Sequence, residues 1–184
     1  MTQFDPSKHS GSTFVDRAGD YLCVFDKLVE RGKSKNGKPF VRLSAKVIAG
    51  PLRGRTMRET FFLNEEALWK LGSACAAIGK VQPFELSDNL ALVTALCMRP
   101  FKVRMSLETV NGQTYARTDG NGYTPAHELS PGDKNMIEEW RSREAQGEWS
   151  PEDALPRTAA PGGNLDFDDS PFPPQDDKGD DIPF

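Results

Sequence analysis

Lys33-Ser34-Lys35-Asn36-Gly37-Lys38-Pro39-Phe40-Val41-Arg42-Leu43-Ser44-Ala45-Lys46-Val47-Ile48 joins a turn signal to a strand pattern, and the rest of the fold is built out from it. Asn36-Gly37 is a hairpin signal, because both residues accept the positive φ that a tight turn between twisted strands requires. Residues 39–48 then alternate. Val41, Leu43, Ala45 and Val47 fall on one side, and Phe40, Arg42, Ser44 and Lys46 on the other, which is the period-two pattern of a strand with one buried face. One face reads as core, the other as basic and aromatic.

Upstream, Tyr21-Leu22-Cys23-Val24-Phe25 is a continuous apolar run and reads as a first strand buried on both faces, paired with the second across the hairpin. Residues 1–19 are polar and read as a flexible arm. Downstream, Gly50-Pro51-Leu52-Arg53-Gly54 makes a turn, and residues 56–63 read as a third strand. Asn64 followed by Glu65-Glu66 predicts a helix start, and Gly79 its end. Ala67, Leu68, Leu71, Ala74, Cys75 and Ile78 share the side of this helix that should flank the sheet, and Trp69 is assigned to packing. Residues 88–98 read as a shorter helix with Leu90, Val93 and Cys97 on one face; a strand is the alternative.

Phe101, Val103, Met105 and Leu107 alternate with Lys102, Arg104, Ser106 and Glu108, and Asn111-Gly112 starts a second hairpin into a strand through Tyr115 and Arg117. Three meandering strands, a helix and two further strands are the order of a small oligonucleotide-binding, or OB, barrel. The expected fold is therefore mainly β: a five-stranded OB-like barrel over residues 20–128, with one or two helices. Ser130-Pro131 opens a helix within residues 129–149, with Met136, Ile137 and Trp140 on one side. From residue 150 the composition shifts to Pro, Gly and Asp, and 150–184 reads as a disordered acidic tail.

At 184 residues and 37% apolar content, the chain suits one domain with extensions. It lacks a run of about 18 apolar residues, and its polar start lacks a signal region, so a cytoplasmic protein without membrane contact is expected. Cys23, Cys75 and Cys97 are widely spaced within apolar segments, and His9 and His127 supply no ligand spacing. No metal or other cofactor is predicted. The net charge of −4 conceals a division: residues 150–184 hold nine acids and two bases, and the remainder 18 acids and 21 bases. A mildly basic body suits an anionic ligand, and an acidic tail a cationic partner.

Ten bases (Lys27, Arg31, Lys33, Lys35, Lys38, Arg42, Lys46, Arg53, Arg55, Arg58) face one acid, Glu30, within residues 27–58. A solvated surface normally mixes both signs, so this imbalance points to a phosphate backbone. Lys102, Arg104 and Arg117 add candidates on the later strands. Selecting unpaired bases also requires aromatic faces, for which Phe40, Phe62, Tyr115 and Tyr123 are the candidates; core packing is the competing role for each. Gly32-Lys33-Ser34 lacks the upstream glycine of a phosphate loop, and Glu65-Glu66 and Glu138-Glu139 diverge on their helices. No catalytic residues are predicted.

The tail closes on Asp180-Asp181-Ile182-Pro183-Phe184, an acidic run ending in an apolar plug. This ending resembles the tip of bacterial single-stranded DNA-binding proteins. The resemblance implies coating and protection of single-stranded DNA, with replication, recombination or repair proteins docking on the five tip residues. Asn36-Gly37-Lys38-Pro39, Gly50-Pro51-Leu52-Arg53-Gly54-Arg55 and Glu66-Ala67-Leu68-Trp69-Lys70-Leu71 are similar to a family of small phage-encoded OB-fold single-strand binders. That resemblance implies a phage or prophage protein acting in a bacterial cytoplasm, and leaves any homo-oligomer open. A recombination or annealing factor, and an interaction protein that mimics the tip without binding DNA, are the rival readings.

Overall fold

β1 (Gly19–Lys33) is the strand around which the rest assemble. The computed structural model describes residues 14–110, 112–144, 147 and 149–156. β1 pairs antiparallel with β2 (Pro39–Val47) on one side and with β4 (Pro100–Val110) on the other. β3 (Thr56–Phe62) extends the sheet beyond β2, and β5 (Gln113–Thr124) extends it beyond β4, giving the order β3-β2-β1-β4-β5. Phe14 adds an isolated parallel bridge to Thr56, the first residue of β3. β1 serves two neighbours by bending: its register slips between Phe25 and Lys27 and between Leu28 and Glu30, and each slip sharpens the local twist.

The curled sheet encloses Phe25, Leu28, Val41, Leu43, Phe61, Phe101, Val103 and Met105, all fully buried. Phe25 lies at the centre, with ring centroids 4.5 Å from Phe101 and 5.8 Å from Phe61. The helix α1 (Leu68–Ile78) contributes Leu71, Ala74 and Ala77, and α2 (Asn89–Leu96) contributes Leu92, Val93 and Leu96. Gly79 ends α1 at φ 73°, as its position in the sequence predicts. Asn64 does not cap α1: a 3-10 turn over Glu65–Ala67 intervenes, and the Asn64 side chain caps nothing. Residues 88–98 do form the shorter helix, with Asp88 accepting from the backbone N–H of Leu90 and Ala91. Its inward side differs from the expected one. Leu90 is exposed, and Cys97 has left the helix to bridge Phe25.

The expected closed barrel is not formed. Among the described residues no backbone ladder joins β3 to β5, and the sheet is open between them. β5 is irregular there: Met105 pairs with Thr118 while Val103 pairs with Tyr123, so residues 119–122 bulge out of the ladder. Gly122 lies so close to β4 that a Cβ would come 2.6 Å from the Arg104 carbonyl oxygen.

The third helix, α3 (Pro131–Glu144), lies on the outside of the sheet. Ile137 and Trp140 pack there on Leu22, Val24 and Ile48, which explains why the first strand is apolar on both faces; Met136 is exposed. The chain then returns to the main core through a 3-10 turn, Pro151–Ala154, capped by Ser150 and burying Ala154. Val15 is buried there too. Val15 of the expected arm and Ala154 of the expected tail thus belong to the core, where these small apolar residues fill gaps. The expected disordered tail beyond residue 156, and the tip residues 180–184, lie outside the described residues. Among those described, no helix is long and apolar enough to cross a membrane.

Candidate nucleic-acid interface

Antiparallel register turns the alternation of β2 into a surface. On the outer face Phe40 stands opposite Gly32 of β1 and Phe62 of β3; Arg42 stands opposite Glu30 and Thr60. Ser44 stands between Lys27 and Arg58, and Lys46 between Val24 and Thr56. Three strands thus present Phe40 and Phe62 at one end of the face and Arg42, Lys27, Arg58 and Lys46 along the rest. Lys27, Lys46 and Arg58 are exposed. Lys33 and Lys35, both exposed, and half-buried Lys38 continue this surface into the hairpin, and exposed Arg53 marks the turn between β2 and β3.

The aromatic end is built closely. The rings of Phe40 and Phe62 meet edge to face at 6.2 Å. A Cβ at position 32 would come within 3.4 Å of the Phe40 ring, so glycine leaves the ring room to rest over β1. The Arg42 guanidinium carbon sits 5.4 Å from the Phe40 centroid, within cation–π range. Arg42 also donates to Glu30 at 2.6 Å and to the Thr60 hydroxyl at 3.2 Å. Phe40 is in consequence only 7% exposed, and Phe62 is half-buried.

Other predicted site residues have structural partners. Lys102 donates to Asp133 of α3 at 2.9 Å, and Asp133 is buried, so this lysine ties the helix to the sheet. Burial opposes the charge of Asp133, but hydrogen bonds from Lys102 and Ser130 outweigh it and lower its pKa. Arg104 meets both carboxylate oxygens of Asp20, at 2.8 and 3.2 Å, and that hydrogen bonding lowers the Asp20 pKa. Arg117 pairs with Glu108, and Arg55 with Asp16. Tyr115 is half-buried beside Glu108 on the β4–β5 hairpin. From the basic zone, Arg31 is turned into the fold, where it donates to the Asn89 side chain and the Leu86 carbonyl at 2.5 and 2.8 Å.

Tyr123 offers no stacking face. It is 7% exposed, its ring centroid lies 5.8 Å from that of Phe101, and its hydroxyl donates to Glu59 at 3.2 Å. Burial and the Glu59 charge raise its pKa well above the ordinary tyrosine value. Glu59 itself was not among the predicted residues. It is buried on the inner face of β3, bonds Lys70 of α1 at 2.5 Å, and accepts from Thr118 as well as Tyr123. This network spans the open seam where β3 and β5 approach. Its signal in the sequence was an acid between Met57 and Phe61 on the inward side of the alternation. Trp69, expected to pack, is 52% exposed, because the buried stripe of α1 runs through Leu71, Ala74 and Ala77. Burial pushes the Cys97 thiol up to about 12 and raises Cys23 and Cys75 as well.

Fold and face together define a mainly β protein whose antiparallel sheet carries cations and the Phe40–Phe62 pair on its outer side. The chain belongs to the family described as protein of unknown function (DUF669), whose match covers residues 2–130. That span holds all five strands, α1 and α2, and stops before α3. No curated protein matches the chain.

Proposed function

We propose that this protein binds single-stranded DNA on the outer face of β1, β2 and β3, and that it acts by binding rather than catalysis. The observation that carries the reading is the cross-strand register, which aligns Phe40 and Phe62 with Arg42, Lys27, Arg58 and Lys46 on one face. Cations spaced along strands neutralise phosphates, and aromatic rings beside them select bases free to stack. The topology supports the finer assignment to the OB class. β1 is shared between β2 and β4, the helices α1 and α2 connect β3 to β4, and β3 leans toward β5 through Glu59. In this reading the seam of the barrel is bridged by side chains in place of a ladder.

The second half of the proposal is recruitment of replication, recombination or repair proteins by Asp180, Asp181, Ile182, Pro183 and Phe184. Ile182 and Phe184 suit a small apolar pocket, and the aspartates suit a cationic rim.

Fluorescence anisotropy of a labelled, unstructured oligonucleotide tests the first half. Tight, salt-sensitive binding with little sequence preference is expected, and an equal mass of duplex should compete poorly. Duplex competing as well as single strand would overturn the reading. A chain ending at Gly179 should keep strand affinity and lose partner capture.

A further inference from the structure

The aromatic end of the face is covered in the free protein. Phe40 rests over Gly32, meets Phe62 at its edge, and has the Arg42 guanidinium over its ring. A base cannot stack on a ring that is 7% exposed. Arg42 is held in this position by the residues directly opposite it on both neighbouring strands, Glu30 on β1 and Thr60 on β3. Glu30 is also the one acid among the ten bases of residues 27–58.

We infer that Arg42 is a gate over the Phe40 stacking face, held shut by Glu30 and opened when a strand phosphate replaces the Glu30 carboxylate. This rests on the strand-binding reading above. A guanidinium presents the same planar fork to a carboxylate and to a phosphate, so Glu30 occupies the place of the ligand's own charge. Neither partner is deeply buried, with 27% of the Arg42 side chain and 47% of the Glu30 side chain exposed, so a change of rotamer is enough to part them. Lys27 and Arg58 lie one row along the face, where a strand arriving from that side first meets cations. As Arg42 follows the phosphate, the Phe40 ring is uncovered beside Phe62, and two neighbouring bases have faces to stack on. Glu30 is thus a positioning residue that sets affinity and favours strands whose bases are unpaired.

A double-mutant cycle on the full chain tests this, read by anisotropy with a labelled oligo-dT. Glu30→Gln should tighten binding about two- to five-fold, the range expected from releasing one exposed ion pair. In the Arg42→Gln background the same change should give no gain, because no gate is left to release. Phe40→Leu in the Glu30→Gln chain should remove the gain, with a thermal melt confirming the fold. Equal gains from Glu30→Gln with and without Arg42 would mean that Glu30 acts only through bulk charge, and would overturn the gate. So would a Glu30→Gln chain that binds like the wild type. Absence of any oligonucleotide binding by the wild-type chain overturns the strand-binding reading and the gate with it, whereas strand binding with additive effects overturns the gate alone.

Discussion

The outer face of β2–β3 and the outer face of β4–β5 look alike in sequence and differ in the fold. Each carries cations at alternate positions: Arg42, Lys46 and Arg58 on the first, Lys102, Arg104 and Arg117 on the second. On β4–β5 every one of these cations has an acid within reach, in Asp133, Asp20 and Glu108. On β2–β3 the register sets Glu30 opposite Arg42 and the uncharged Ser44 between Lys27 and Arg58. α3 packs on Leu22 and Val24, on the outer face of the strand that separates the two surfaces. A cation contributes to a phosphate-binding surface through the field left after its neighbours are counted, and those neighbours come from other strands and helices.

The largest expected effect sharpens this contrast. Lys46→Glu with Arg58→Glu should weaken oligonucleotide binding on the order of 100-fold at low salt, whereas Arg104→Glu with Arg117→Glu should change it only a few-fold. Neutralising each contacting cation should also lower the slope of log K against log salt by about 0.7. Equal losses from the two faces would break the comparison. Next in size, Asp133→Ala should cost about 2 kcal/mol of stability in urea titration, because it leaves Lys102 unpaired under α3. Strand affinity should be unchanged.

A smaller pair of effects separates the aromatics. Phe62→Ala should lower strand affinity roughly ten-fold through lost stacking, and Tyr123→Phe should leave affinity alone while costing about 1 kcal/mol of stability through the lost bond to Glu59. The smallest effect is on pH dependence. The Asp133 pKa is lowered in the folded state, so its contribution to stability is present above the ordinary value of 3.8 and is lost as pH falls through the lowered one. Asp133→Asn should flatten that part of an acid-unfolding curve; an unchanged curve would show that the Lys102 pair does not hold α3.

Much of the fold was legible because burial imposes periodicity on residue type. The alternation of Val41, Leu43, Ala45 and Val47, the Asn36-Gly37 hairpin and the run at Leu22-Cys23-Val24-Phe25 each describe one element and its faces, and the structure keeps them. Positions decided by more than one element were less legible. Leu107 continues the apolar alternation of β4 yet is 41% exposed, on the inward side of the hairpin near its tip. Tyr123 had the composition of a stacking residue and sits in the core, because the bulge in β5 turns it toward Glu59.

By itself the sequence determined the strands, their turns, the two-sided burial of β1 and the concentration of charge between residues 27 and 58, since each depends on neighbours along the chain. Only the tertiary structure decided which cations are neutralised, that β3 and β5 meet through Glu59 in place of a backbone ladder, and that Arg42 covers Phe40. Those outcomes depend on pairs far apart in sequence, such as Lys102 with Asp133 and Glu59 with Tyr123, whose distance is set by the bending of β1 and the packing of helices on both sides of the sheet.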